Sequence, residues 1–331
     1  MAGPLGIVVN PASGKDIRRL VARASVFDNQ EKRAIVRRAI VGALEGGAQD
    51  FRYMPDTHGL AADATGEFSD QGSFVAVESA RTASTLDTTL AAAALREAGC
   101  AAVLTLGGDG TNRAFALGWR DAPLVPVSTG TNNVFPTMIE ATVAGAAAGL
   151  VASGRLALHD VARQTKTVRV SIEGEADDLA LIDVVLAADR FVGSRAIWGA
   201  ERLREALLTR AEPSAVGMTS IGGLLEPLPE TEDVSLHLRL GPGGDSVTAP
   251  IAPGLYEEIG VRSIERIPFG QPVELQGPGV LAFDGERERV LQPGQRATLR
   301  VARDGPWVID VREALEQAAC KGLYRGGGAA S

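Results

Sequence analysis

The sequence predicts two domains, an α/β domain with a mostly parallel sheet and then a mainly β domain with antiparallel strands. Three observations carry this expectation. The chain has 331 residues, 45% of them hydrophobic, enough for two cores at roughly 100–200 residues per domain. The first half alternates short apolar runs with helical patterns, the order in which helices cross over between parallel strands. The second half consists of alternating apolar and polar runs broken by Gly and Pro, as antiparallel strands require.

Taken in order, Leu5–Val9 is an apolar strand that ends in Asn10, Pro11, Ala12, Ser13, Gly14 and Lys15, with a helical pattern over residues 17–24. Ser13, Gly14 and Lys15 supply a hydroxyl, an unhindered N–H and an ammonium, a set able to hold phosphate oxygens. The spacing is not that of a Walker A loop, and an ordinary Pro-Ser-Gly turn is the alternative. Residues 31–44 place Ala34, Ile35, Ile40, Val41 and Leu44 toward one face and Lys and Arg on the other, which predicts a surface helix. Strands follow at 51–55 and 72–78, separated by a weak helical stretch. Ser84, Thr85, Leu86 and Asp87 have capping-box spacing, with Asp in place of Glu or Gln, and open an Ala-rich helix running to Ala98.

The most informative stretch is 103–113. An apolar strand breaks into Gly107, Gly108, Asp109, Gly110 and Thr111, and a helix is expected from Asn112. Such a turn leaves N–H groups unpaired at the positive end of a helix, a natural phosphate site, and its glycines admit a ligand close to the backbone. Asp109 stands among these donors, where a carboxylate suits either holding Mg²⁺ or accepting a proton from an attacking hydroxyl. Plain Asp-Gly turn chemistry is the alternative. A strand at 124–127, containing Pro126, then runs into Ser128, Thr129, Gly130, Thr131, Asn132 and Asn133. Three polar, glycine-bearing loops at the carboxyl ends of one parallel sheet are expected to converge on one site.

Beyond Leu156, strands are expected at Thr167–Ile172, 179–188, 234–240, 272–277 and 297–302. Phe283, Asp284, Gly285 and Glu286 lie between two strand-like runs, and Asp-Gly is a common hairpin signal. Residues 307–324 read as a strand and a helix that return to the first domain, and 325–331 as a disordered end.

The net charge of −8 and pI near 5.1 argue against nucleic acid and against an anionic membrane surface. Cys100 and Cys320 are far apart and suggest reduced thiols, with Cys100 a small buried hydrophobe. His58, His159 and His237 are scattered singly, which gives no zinc spacing and no Ser-His-Asp set. No leader and no membrane-length apolar run is evident, so a cytoplasmic protein is expected. Arg190 and Arg195 flank Gly193 as candidate phosphate contacts, with surface exposure as the alternative. His159, beside Asp160, suits an interface hydrogen bond, and Trp198 and Trp307 suit packing.

With NPASGK, GGDGTNR, STGTNN and FDGE in this order, the chain resembles the superfamily of NAD kinases and diacylglycerol and sphingosine kinases. The run at 10–32 is similar in particular to the ATP-NAD kinase-like, or acetoin catabolism protein X, family. The resemblance implies a Rossmann-like nucleotide-binding domain over 1–155, a β-sandwich over 156–305, and a C-terminal segment, 306–331, packing back on the first domain. It implies an ATP-dependent phosphotransferase acting on a hydroxyl of NAD or a related small molecule, with Mg²⁺ whose protein ligands are unassigned, in a homo-oligomer, dimer or tetramer. Kinase action on another small alcohol, or a regulator that binds nucleotide without catalysis, are the alternatives.

Carried over residue by residue, Asn10, Ser13 and Gly14, with Lys15, form the first phosphate loop. Gly107, Gly108, Gly110 and Thr111, with Asn112, form the second around the catalytic acid Asp109. Gly130, Thr131 and Asn133 form the third, with Ser128, Thr129 and Asn132. Asp284 and Glu286 match the DGE segment, whose Asp is the proposed base of the lipid kinase branch; Asp109 is favoured for a ribose acceptor and Asp284 for a primary alcohol. The chain departs from its relatives at Val134, where many diacylglycerol kinases have Asp. It also lacks the Thr-Pro-Thr-Gly-Ser-Thr-Ala-Tyr stretch of NAD kinases, for which residues 219–223 are a faint counterpart.

Overall fold

The computed structural model describes residues 2–14, 28–130, 132–188 and 200–325. Lys15, the helical pattern at 17–24, Thr131, residues 189–195, Trp198 and residues 326–331 lie outside them.

Strands β1 (Leu5–Val9), β2 (Asp50–Tyr53), β3 (Ser73–Ala76), β4 (Ala102–Gly107) and β5 (Pro123–Ser128) pair in parallel in the order β3-β2-β1-β4-β5, and β6 (Ala162–Gln164) stands at the far edge of the same sheet. The second domain contributes β7 (Thr167–Ile172), β8 (Asp178–Ala180), β9 (Asp183–Ala187), β10 (Leu203–Leu208), β11 (Val234–Ala252), β12 (Leu255–Pro268), β13 (Val273–Gln276), β14 (Gly279–Phe283), β15 (Glu286–Leu291) and β16 (Arg296–Ala302). These form two antiparallel sheets, β12-β11-β10-β9-β14-β15 and β13-β16-β7-β8. Val170, Leu186, Phe283 and Leu299 fill the core between them. The chain then returns: β17 (Trp307–Ile309) inserts between β5, to which it is parallel, and β6. The α/β-plus-β-sandwich architecture and the returning C-terminal segment are those expected.

The described α-helices are α1 (Asn29–Glu45), α2 (Leu60–Thr65), α3 (Thr85–Glu97), α4 (Asp109–Gly118), α5 (Ala141–Ala152), α6 (Leu158–Val161), α7 (Met218–Leu225) and α8 (Val311–Cys320). α1, α5 and α8 cover one face of the parallel sheet. α3 and α4 cover the other, where Leu179, Leu181 and Ile182 of the second domain join the same core. No helix among the described residues is long and apolar enough to cross a membrane.

Four local readings need correction. The buried stripe of α1 is Lys32, Ile35, Val36, Ala39, Ile40 and Ala43, whereas Val41 is 44% exposed; α5 packs across that stripe, so α1 is not a simple surface helix. The run at 179–188 is two strands that belong to different sheets, with a corner at Leu181 and Ile182. The strand at 234–240 continues to Ala252, because the Gly241 to Gly244 cluster forms a register shift within the β11–β12 hairpin rather than its turn. Ser84 precedes α3, but its hydroxyl pairs with Thr82; the carboxylate of Asp87 reaches back to accept from Thr82 and Ala83 N–H instead.

Candidate active site

The three loops do converge. Asn10 turns the chain after β1 by accepting from Ala12 N–H, and its Nδ2 donates to Thr111 Oγ1 at 2.8 Å, tying the first loop to the second. Ser13 Oγ donates to the Asn10 carbonyl, and Gly14 has a positive φ of 74°. Lys32, fully buried in α1, donates from Nζ to the carbonyls of Asn10, Pro11 and Ser13 at 3.0, 2.9 and 2.6 Å. An ammonium from a neighbouring helix therefore fixes the shape of the first loop.

Thr129 N–H donates to the Gly107 carbonyl, joining the second loop to the third. The Asn133 amide lies over Gly108, where a Cβ would meet its Oδ1 at 3.0 Å, while its Nδ2 donates to Ser128 Oγ at 2.7 Å. Ser128 Oγ in turn donates to the Gly130 carbonyl and accepts its N–H. α4 begins at Asp109, three residues before the expected Asn112; Thr111 and Asn112 N–H already donate to the Gly108 carbonyl, which leaves the amides of Asp109 and Gly110 as the GGDGT donors with no acceptor inside the helix. Asn112 is fully buried and spends its amide inside the loop, accepting from Thr105 Oγ1 and donating to the Gly108 carbonyl. Asn132 is half-buried within the third loop.

Three carboxylates face one another where the two domains meet. Half-buried Asp109 accepts from Phe135 N–H at 2.8 Å and Val134 N–H at 3.1 Å. Enclosure by protein raises it to about 7, and the charge of Asp284 adds to the rise while the two N–H groups and the Arg210 guanidinium oppose it. Asp284 is buried at the head of a two-residue hairpin. Both Asp284 and Gly285 have positive φ, 49° and 81°, as a type I′ turn requires. The amides of Leu181, Ile182 and Asp183, freed from sheet pairing at the corner between β8 and β9, donate to its carboxylate at 2.8–3.1 Å. Burial still pushes Asp284 up, against the pull of Arg113 and these amides.

Asp183 has the poorest support. It is buried, and its Oδ1 has no hydrogen-bond partner among the described residues. Burial and the charges of Asp284 and Asp109 push it well above the usual carboxylate range, with only the Gly285 N–H opposing. Like charges this close cannot all be ionised, so Asp183 is the acid that keeps its proton while Asp109 titrates near neutrality.

The second domain closes the site with Glu286, whose Oε1 would lie 2.8 Å from a Cβ on Gly110. An open cleft of about 250 Å³ lies along the third loop, lined by Ser128, Asn133, Val134 and Met138 from the first domain and Glu212 and Ser214 from the second, and none of the three acids lines it. Sequence reasoning missed Asp183, Lys32, Arg113 and Arg210. Two of these left a signal: a lone acid inside the apolar run at 179–188, and a lysine on the 32, 36, 39, 43 stripe of α1. His159 packs edge-on against Trp307, with ring centroids 4.4 Å apart, so both serve packing at the domain junction.

An α/β domain with three phosphate-loop-like strand ends, closed by a β-sandwich that supplies a DGE hairpin, defines the NAD kinase-like class of proteins. Residues 5–156 match the ATP-NAD kinase N-terminal domain model and residues 166–304 the acetoin catabolism protein X C-terminal domain model. The chain is 35% identical to the acetoin catabolism protein X of Cupriavidus necator over 340 residues, covering 98% of this chain and 95% of that protein. It belongs to the acetoin catabolism protein X family. Among solved structures, yeast NADH kinase complexed with NADH matches with a TM-score of 0.52 at 12% identity, over 100% of this chain and 90% of that one, a likeness of fold. A diacylglycerol kinase from Bacillus anthracis str. Sterne matches with a TM-score of 0.43 at 10% identity, over 92% and 96% of the two chains.

Proposed function

We propose that the protein is an ATP-dependent phosphotransferase that moves the γ-phosphoryl group to a hydroxyl of NAD or a related small molecule. The observation that carries this reading is Asp109: a half-buried carboxylate at the first turn of α4, inside the glycine turn and fixed by the Val134 and Phe135 amides, which its enclosure pushes up to about 7. A general base is most effective when it titrates near the working pH. The acceptor hydroxyl gives its proton to Asp109 as its oxygen bonds to phosphorus and the bond to the departing ADP breaks. The glycine-turn amides hold the phosphates, and Asp284, held by three backbone amides, stays fixed beside them. Any Mg²⁺ would enter with the nucleotide. When bound, that ion neutralises charge on the transferred group.

The test is incubation of the purified protein with Mg²⁺-ATP and NAD, reading NADP and ADP by mass spectrometry. Wild type is expected to form NADP, with kcat/KM falling as pH drops below about 7, where Asp109 takes up its proton. Asp109→Asn should lose about 10²–10⁴-fold in turnover with nucleotide affinity largely kept. Full activity in that variant would remove Asp109 from the mechanism. NAD or ATP retained without turnover of any alcohol would overturn the transferase reading in favour of a nucleotide-binding regulator.

A further inference from the structure

Arg113 leaves α4 one turn after Asp109 and crosses into the second domain. Its Nε donates to the Leu179 carbonyl at 2.6 Å and its Nη2 to Asp178 Oδ1 at 2.7 Å. Its guanidinium carbon lies 4.7 Å from the centroid of the Phe283 ring, the residue immediately before Asp284. Leu179 and Asp178 sit on β8, at the near end of the corner whose amides cradle Asp284. One side chain therefore grips both the strand that carries Asp284 and the segment that holds it. Arg113 is only 4% exposed and Asp178 is similarly buried. Such a pair differs from surface ion pairs, most of which contribute little, because loss of one partner strands a charge in the interior.

We infer that Arg113 is a positioning residue for Asp284, locking the GGDGT helix of the first domain to the DGE hairpin of the second so that Asp284 and Asp109 face the same reacting group. The charged groups facing Asp284 are Asp109 and Arg113 from α4 and Asp183 from β9, with Asp178 of β8 and Arg289 of β15 behind Arg113. Arg113 is the strongest influence opposing the effect of burial on Asp284. The guanidinium suits this place because its planar fork makes two directed bonds while its face rests on an aromatic ring, which an ammonium cannot do. The inference rests on the transferase reading only for its kinetic consequence.

The test titrates Asp284 itself, by carbon NMR of protein labelled at the aspartate carboxyls, with the resonance assigned through Asp284→Asn. In Arg113→Met the Asp284 midpoint should rise by about one pH unit or more. In Asp178→Asn, which loosens the same contact but keeps the cation, the midpoint should not rise. An unmoved midpoint in Arg113→Met, or an equal rise in both variants, would overturn the inference and leave Arg113 a plain tether. Should Arg113→Met fail to fold, Arg113→Lys decides. It should keep the Asp284 midpoint and lose about 10–100-fold in turnover with KM for the nucleotide little changed, because the charge remains and the fork is gone. Wild-type turnover there would overturn the inference. If wild type transfers no phosphoryl group, the transferase reading fails alone, and the titrations of Arg113→Lys and Asp178→Asn still read the positioning: a rise in both variants would again leave only a tether.

Discussion

Lys32 shows how a single residue can shape the site without touching a ligand. By type it belongs to solvent, and the sequence gives it a surface role; the structure buries it and spends its three donors on three carbonyls of the first loop. A buried ammonium is tolerated only when it is fully hydrogen-bonded. Lys32→Met keeps the aliphatic stem and removes the donors, so the carbonyls of Asn10, Pro11 and Ser13 lose a charged partner. The variant should lose about 2–4 kcal/mol in urea unfolding, and its affinity for ATP should fall because the loop no longer has one shape. An unchanged unfolding midpoint would mean that water can replace the ammonium, and the loop would then be held by Asn10 and Ser13 alone. Asp109 is the opposite case: its residue type and its place after two glycines made it a candidate, and the expected convergence of three such loops on one end of the sheet set it apart from an ordinary Asp-Gly turn.

At the scale of elements, α1 and α5 cross at glycines. A Cβ on Gly145 would lie 1.9 Å from the Ala39 carbonyl oxygen, and one on Gly42 equally close to that of Thr142, with Gly46 and Gly149 continuing the close approach. Gly145→Ala should therefore cost about 2 kcal/mol or more, since the helices must move apart. The same change at Gly66, which has right-handed φ and open space around it, should be neutral or stabilise by about 0.4–1 kcal/mol. Denaturant midpoints that shifted alike in the two variants would show that intrinsic propensity, not contact, sets the effect. This crossing also explains what the sequence conceals. The ends of β1, β4 and β5 are legible because glycine and polar residues stop each apolar run at the site. α5 is apolar nearly all round, and its Ala141–Ala152 run has no 3.6-residue period to read because almost every side is buried. The corner at Leu181 and Ile182 is hidden for a related reason: apolar residues continue through it as the chain passes from one sheet to the other, and only Asp183 interrupts them. Its consequence, three amides turned toward Asp284, depends on a hairpin about a hundred residues away.

For the whole molecule, the cluster of acids where the domains meet ties function to stability. Amide or apolar side chains would cost less there than three carboxyl groups, so the acids are a burden that site chemistry accounts for. The burden has a definite pH dependence. The unfolded chain releases these protons around pH 4, whereas the folded protein keeps Asp109 protonated to about 7 and Asp183 protonated well above the usual range. Between those limits the folded state binds more protons than the unfolded chain, so the stabilisation is complete below about pH 4 and is lost as pH rises, at up to about 1.4 kcal/mol per pH unit for each retained proton. Asp183→Asn keeps the shape of the side chain and removes one such proton. Near pH 5 the variant should have a Tm close to that of wild type, and toward pH 8 it should become progressively more stable than wild type, because wild type alone must hold or release a buried proton. Parallel Tm curves for the two proteins from pH 5 to 8 would mean that Asp183 ionises inside the fold as it does outside. Asp183 would then not be the acid that keeps its proton, whereas the assignment of Asp109 as base, which rests on that residue's own enclosure and position, would stand.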